Sequence, residues 1–125
     1  MGISNVTPMW PVHDIDAARD FLTACLGFNE TFRVDGHSHC QAGEGAIRII
    51  NAAPGADLDE EARQMHFYVD CDDVDGLYAV HKTELEALPR THFKPPFDTN
   101  WNTREMHIIY LQAQFSVGQP LRSAL

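Results

Sequence analysis

Three side chains in the second half of the sequence have the types and spacing needed for acid–base or metal chemistry. His66 lies in the alternating stretch QMHFYVD, and Glu105 and His107 lie two positions apart in the stretch REMHIIY. Side chains two apart on a β-strand point to the same face, so Glu105 and His107 could meet His66 from a neighbouring strand. Two imidazoles and a carboxylate could bind zinc or iron, or supply a general base without metal. The commoner alternative is a buried histidine that only hydrogen bonds to a carboxylate.

Other catalytic motifs are missing from the sequence. No serine or cysteine nucleophile lies in a recognisable elbow, no glycine-rich phosphate loop follows a strand, and residues 43–45 form a turn signal. Three cysteines without Cys-x-x-Cys spacing indicate reduced, structural thiols in a cytoplasmic protein. His37 and His39, beside Gly36, are expected to be solvated in a hairpin turn. These patterns leave open whether the protein is an enzyme.

Charge and hydropathy limit the partners. The chain has 18 acidic and nine basic side chains and a formal net charge of −9, which repels nucleic acid and anionic lipid. The sequence lacks the ~20 consecutive apolar residues that a membrane span requires, and its first ten residues do not resemble a signal peptide. We therefore expect a cytoplasmic protein whose partner is neither nucleic acid nor membrane. The acidity could attract a cationic ligand.

The elements that must position the candidate residues follow a repeated order. The first half predicts a strand over Val6–Val12, a helix between an N-cap at Asp14 and a stop at Gly27, and three further strands. Those strands are Phe28–Val34, His39–Ala42 and Ala46–Asn51. Residues 54–63 contain proline, glycine and carboxylates and are predicted to be a linker.

The second half repeats this βαβββ pattern. It predicts a strand over Met65–Cys71, a helix over Asp73–Ala87, and strands near Thr91–Phe93, Arg104–Tyr110 and Gln114–Gly118, with residues 95–100 as a loop. The acidic helix starts at positions 14 and 73 give an offset of 73 − 14 = 59 residues. The same offset places Thr7 opposite His66. Two such repeats predict a site at their junction, with both side chains directed into it.

The register of the last hairpin decides which side chains face the cavity. A turn about residues 112 and 113 directs one set inward: Glu105, His107, Ile109, Gln114 and Ser116. A shift by one residue directs the alternate set inward: Arg104, Met106 and Ile108.

Three segments together resemble a known family. They are VHDIDAARDFLTACLGF at 12–28, HFYVDCDDVD at 66–75 and WNTREMH at 101–107, and they are similar to the glyoxalase, bleomycin-resistance and extradiol-dioxygenase superfamily, or vicinal oxygen chelate fold. The resemblance covers nearly the whole chain. It implies one α+β domain, residues 1–125, of two βαβββ modules, residues 4–53 and 64–120. It also implies a homodimer in which two modules enclose each site.

The resemblance also implies where a metal would bind. Metal-using members place histidine or glutamate at four positions, which in this sequence carry Thr7, Arg48, His66 and Ser116. A guanidinium has no lone pair for a metal, and its charge repels a divalent cation. We therefore expect no metal at the family site and no cofactor. A rebuilt metal site at His66, Glu105 and His107 remains the alternative.

Small-molecule binding is the expected function. Trp101 follows a polar loop and could lie at a cavity mouth, while Arg48 could orient a carboxylate or amide. The predicted ligand-binding residues are Thr7, Trp10, Arg48, His66, Tyr68, Trp101, Glu105, His107 and Ser116. Three classes stay open: a metal-free binder of antibiotics or similar molecules, a metal-dependent lyase, isomerase or dioxygenase, and a structural module. The ligand itself is not specified by the sequence.

Overall fold

The protein folds into two units of the same topology. The structure, a computed structural model, describes residues 2–121 and contains two compact units, Met1–Ala56 and Asp57–Leu125. Each unit has a four-stranded sheet and one longer helix. Neither helix in the described range is long and apolar enough to cross a membrane.

The first unit has the strand order β1-β4-β3-β2, with β1 parallel to β4 and the other pairs antiparallel. Its elements are β1 (Met9–Val12), α1 (Ile15–Leu26), β2 (Asn29–Val34), β3 (His37–Ala42) and β4 (Gly45–Asn51). The predicted βαβββ order is confirmed. Its last strands begin one or two residues earlier than predicted.

The second unit has the matching order β5-β8-β7-β6, again with the first strand parallel to the last. Its elements are β5 (Met65–Asp70), α2 (Val74–Glu86), β6 (Phe93–Asp98), β7 (Thr103–Tyr110) and β8 (Ala113–Pro120), with short 3-10 turns at Glu61–Arg63 and Arg90–His92. The α+β prediction of two βαβββ repeats is therefore confirmed.

Both helices begin at the predicted aspartates. The Asp14 carboxylate accepts a hydrogen bond from the Ala17 amide at 3.0 Å, and the Asp73 carboxylate accepts one from the Gly76 amide at 2.9 Å. Each bond satisfies an amide that has no partner within the helix. The first helix ends at Gly27, whose φ of 74° is left-handed and favours glycine. The 59-residue offset therefore reflects a real repetition of helix capping.

Trp10 belongs to the core of the first unit, which corrects its predicted role in ligand binding. Its side chain is 0% exposed and meets Phe21 of α1 edge-on, with ring centroids 6.3 Å apart. Trp10 pairs with the buried Ile49 on β4, and paired residues share a face of the sheet. Strand alternation thus turns this ring toward α1.

The segment around Pro95 and Pro96 is a strand, although the sequence predicted a loop there and a strand at Thr91–Phe93. β6 is an edge strand and pairs only with β7, so the missing amide proton of a proline is tolerated on its unpaired side. The register with β7 shifts between Lys94 and Phe97, which accommodates the two prolines.

The last hairpin turns one residue earlier than predicted, yet directs the predicted side chains to one face. Tyr110 pairs with Ala113, and Leu111 in the turn has a left-handed φ of 54°. His107 lies opposite Ser116 and Ile109 opposite Gln114. A displacement of both turn residues by one changes the register by two, so the alternation is preserved.

Candidate functional site

The second sheet has an apolar face toward α2 and an opposite face that carries most of the candidate residues. Helix α2 packs against β6, β7 and β8. Alternation separates the buried apolar side chains from the polar ones. The polar face of the second sheet, as we name it, carries His66, Tyr68, Glu105, His107, Gln114 and Ser116.

Glu105 is the centre of a hydrogen-bond network on this face. The residue is only 1% exposed. Its Oε2 accepts bonds from Tyr68 Oη at 2.9 Å, Thr103 Oγ1 at 2.9 Å and Trp101 Nε1 at 3.1 Å. Its Oε1 lies 2.8 Å from His107 Nε2. Four partners therefore compensate for the burial of one carboxylate.

These bonds keep Glu105 ionised and determine which nitrogen of His107 donates to it. Burial favours the neutral acid, but hydrogen bonds from His107, Thr103, Trp101 and Tyr68 outweigh it, and the pKa of Glu105 is lowered. An ionised carboxylate only accepts, so His107 Nε2 must carry the proton of that bond. In the neutral ring, Nδ1 then keeps a lone pair with which it can accept a hydrogen bond.

Tyr68 reaches Glu105 because residue 118 has no side chain. A Cβ at Gly118 would lie 2.1 Å from Tyr68 Oη and 3.0 Å from Glu105 Cγ. Partial burial, followed by the bond to Glu105 and its charge, raises the pKa of Tyr68 to about 12. The phenol thus remains a donor at neutral pH.

Aromatic rings surround the carboxylate and remain partly open to solvent. Trp101 is 60% exposed and Tyr68 is 49% exposed, although the polar atom of each ring is bonded to Glu105. Phe97 meets the His107 ring edge-on at 5.0 Å, and Lys94 Nζ lies 3.8 Å from the Phe97 ring centroid. We name Trp101 and Tyr68 the aromatic platform. Their anchored orientation suits contact with a planar molecule.

His66 bonds to Ser116 rather than to Glu105 or His107. Its Nε2 lies 2.8 Å from Ser116 Oγ, which also accepts a weaker bond from Gln114 Nε2 at 3.4 Å. Within residues 2–121, no group of three or more His, Cys, Asp or Glu side chains is arranged to hold a metal ion. The three residues of the alternative metal site lie on one face but do not form a ligand cluster there.

The remaining predicted residues lie in the first unit. Thr7 precedes β1, is half-buried and accepts a bond from Asn5 Nδ2 at 3.4 Å. Arg48 lies on β4 with its Nη1 3.2 Å from His37 Nε2. Both His37 and His39 are half-buried in β3, so their predicted placement in a solvated turn is wrong.

Sequence reasoning missed several residues in and around the Glu105 network. Thr103 lies two positions before Glu105, so alternation along β7 would have placed it on the polar face. Gly118 lies opposite Glu105 and could have been found once the hairpin register was known. Phe97 and Lys94 were not identified because the two neighbouring prolines indicated a loop instead of a strand.

Comparison with known proteins adds a family and a fold. The sequence profile of the Glyoxalase/Bleomycin resistance protein/Dioxygenase superfamily matches residues 6–107. No curated protein matches the chain. A bleomycin resistance determinant encoded on the transposon Tn5 is similar in structure, with a TM-score of 0.76, 20% identity and coverage of 94% of this chain and 98% of that chain.

Two further solved structures are similar. A bleomycin-binding protein complexed with bleomycin has a TM-score of 0.74 and 21% identity, with 94% of this chain and 98% of that chain covered. A lactoylglutathione lyase from Agrobacterium tumefaciens has a TM-score of 0.64 and 18% identity, with 94% of each chain covered. At these identities the similarity shows a shared fold.

Proposed function

The chain belongs to the glyoxalase/bleomycin-resistance/dioxygenase superfamily, and from this premise we propose that it binds a small, partly aromatic organic molecule on the polar face of the second sheet. The observation that carries the proposal is the Glu105 network, which fixes two exposed rings by their polar atoms. A bleomycin-binding protein of the same fold supports small-molecule binding in this superfamily.

Binding would use the rings and the imidazole rather than the carboxylate. Glu105 is 1% exposed and already has four partners, so it is a positioning residue. Trp101 and Tyr68 lose little side-chain freedom on binding because they are already held. A planar ligand can contact the ring faces, while His107 Nδ1 can accept a hydrogen bond from a ligand N–H or O–H.

A titration with bleomycin, followed by tryptophan fluorescence, tests this proposal. Trp10 is 0% exposed and Trp101 is 60% exposed, so a change in emission on binding should come chiefly from Trp101. Thermal-shift screening of other antibiotics extends the test, since a ligand at about 100 times its dissociation constant adds about 2.7 kcal/mol to stability.

W101A should weaken the binding of any ligand found by about 30-fold, the effect of losing a strong aromatic contact. V80A is the control, because Val80 is 77% exposed on α2 and lies outside the polar face. Equal affinity of W101A and the unaltered protein, or no binding of bleomycin or any screened compound, would defeat the proposal.

The proposed binding needs no metal. Of the four family ligand positions, only His66 has a side chain of the usual metal-binding types, and Thr7, Arg48 and Ser116 occupy the others. This donor set does not fit a divalent metal. Elemental analysis of the purified protein tests the point. About one metal ion per chain, lost in H66A, would instead favour the metal-dependent lyase, isomerase or dioxygenase.

We also propose that the chain acts as a homodimer. Each sheet has two edge strands, and large apolar side chains such as Ile3 and Val6 are 90% and 81% exposed. A second copy could cover such edges and side chains. Light scattering at micromolar concentration should give twice the mass of one chain, and a strict monomer would contradict the proposal.

A further inference from the structure

The first sheet also has an open face, and its chemistry is cationic. On β3 and β4, Ser38, Cys40, Ile47 and Ile49 are buried on the side of α1. The alternate residues point to the other side of the sheet. We name this the basic face; it carries Met9, Phe32, Val34, His37, His39 and Arg48.

Arg48 differs from the four arginines that form ion pairs in the described part of the chain. Arg19, Arg33, Arg63 and Arg104 each contact at least one carboxylate. In the described part of the chain, Arg48 has no carboxylate within ion-pair distance although it is half-buried. The protein has a net charge of −9, so carboxylates are abundant elsewhere. Among the described residues, Arg48 is thus a partly desolvated cation without a counter-charge.

The hydrogen bond of Arg48 orients the guanidinium without neutralising it. Its Nη1 lies 3.2 Å from His37 Nε2. A guanidinium can only donate, so His37 Nε2 accepts this bond, and the bond supplies no negative charge. Arg48 has about five N–H donors, and this contact uses one of them. The remaining fork is available to an acceptor from outside.

Apolar side chains share the basic face with this cation. Met9 pairs with Arg48 across the sheet and is 47% exposed. Phe32 and Val34 on β2 are 54% and 47% exposed, and Phe32 meets the His37 ring edge-on at 6.5 Å. These side chains could exclude water from an anion and cover an apolar group attached to it.

We infer that the basic face binds an organic carboxylate, with the anion on Arg48 and an attached apolar or aromatic group on Phe32. A carboxylate can accept two parallel hydrogen bonds from the guanidinium fork, which a neutral amide does only in part. The inference is independent of the proposed function, because every residue in it belongs to the first unit and the aromatic platform belongs to the second.

Benzoate is a suitable probe because it combines a carboxylate with a flat apolar ring. Benzamide has nearly the same shape without charge, and sulfate supplies an anion without the ring. Titrations monitored by nuclear magnetic resonance of the labelled full-length protein should move the signals of Arg48, His37 and Phe32. Benzoate should bind more tightly than either control compound.

The R48Q variant should weaken benzoate binding by about tenfold or more, the fold-change for a lost charge-assisted hydrogen bond. R90Q removes the same charge from an exposed arginine of the second unit and should leave benzoate affinity unchanged. Circular dichroism of both variants checks that they fold.

Three results would overturn the inference. These are equal benzoate affinity in R48Q and the unaltered protein, benzamide binding as tight as benzoate binding, and signal changes confined to residues outside the basic face. The last two need only the unaltered protein, so the inference can fail even if R48Q does not fold. None of them affects the bleomycin titration, in which W101A reports on the other unit.

Discussion

The two open sheet faces carry a histidine at the same topological position but differ in the charge beside it. In the first unit His39 on β3 pairs with Arg48 on the last strand, and in the second unit His107 on β7 pairs with Ser116. Two positions earlier on the same strands, the first unit has His37 and the second has Glu105. One face therefore has a cation and the other a carboxylate.

The difference lies in how completely each charge is used within the protein. Glu105 is buried and accepts hydrogen bonds from four side chains of the second unit, so its charge stabilises that unit. Arg48 is half-buried and donates to the His37 imidazole, which carries no negative charge. A charge whose hydrogen-bonding capacity is filled within the protein fixes the side chains around it. A charge with donors left over can bind a ligand. The repeated topology thus supports two different uses of a sheet face.

The largest effect is expected for E105Q. The amide would present an N–H₂ group to donors and leave at least one of them without an acceptor. We expect the free energy of unfolding to fall by about 3 kcal/mol, because a buried charge-assisted network is broken. Urea denaturation followed by circular dichroism measures this. If E105Q lowered the free energy of unfolding by no more than an exposed substitution such as R90Q, Glu105 would not be the residue that stabilises this network.

The pH dependence of stability, compared between the unaltered protein and E105Q, tests whether Glu105 is ionised in the folded protein. The pKa of Glu105 in the folded protein lies below its ordinary value of 4.5, so the ionised network stabilises the fold above about pH 4.5 and is lost as pH falls through the folded pKa. The stability difference between the unaltered protein and E105Q should be constant near neutral pH and should shrink in acid. A difference that grows in acid would contradict the ionised state.

G118A should disturb chiefly the bond between Tyr68 and Glu105. The added Cβ would collide with Tyr68 Oη, which lies at the end of a half-exposed side chain and can move away. We expect a loss of about 1–2 kcal/mol and a return of the Tyr68 pKa from about 12 toward 10. Nuclear magnetic resonance of labelled tyrosine measures the ionisation. Tyr78 is the control, since the pKa of its phenol is raised by a bond to Glu86.

Loss of the N-cap side chain should have a similar effect in both helices, because helix capping belongs to the repeated part of the fold. D14A and D73A each remove one side-chain bond to a helix amide. Each should lower the free energy of unfolding of the protein by about 1 kcal/mol. Hydrogen exchange of α1 and α2 would show whether each loss stays within its own helix. A large effect of only one variant would break the symmetry between the units.

The smallest effect on stability is expected for R48Q. Arg48 has a single bond to His37 and no ion pair in the described residues, so its removal should change the free energy of unfolding by less than about 1 kcal/mol. Urea denaturation alongside E105Q measures the contrast directly. A loss as large as that of E105Q would mean that Arg48 is a structural residue rather than a binding residue.

The fold was predictable because its signals are local. The capping aspartates, the glycine at position 27 and the alternating strands each depend on neighbouring residues, and all were confirmed. The prediction failed at β6, where proline lowers strand propensity but an edge position tolerates it.

The candidate site was predictable only in part because its contacts join distant strands. Alternation placed Glu105 and His107 on one face, and both meet there. The bond of His66 to Ser116 and the burial of Trp10 depend on which strand lies beside which and on which side the helix packs. Neither is encoded within a short stretch of sequence.

Gly118 also restricts the order in which substitutions could create such a network. In the first sheet, Ile50 pairs with His37 as Gly118 pairs with Glu105, and Met9 takes the place of Tyr68 relative to the last strand. A designer who installs tyrosine at position 9 and glutamate at position 37 would find the path between them closed by the isoleucine side chain. Replacement of Ile50 by glycine would have to come first, since only then could the other two changes be favourable together.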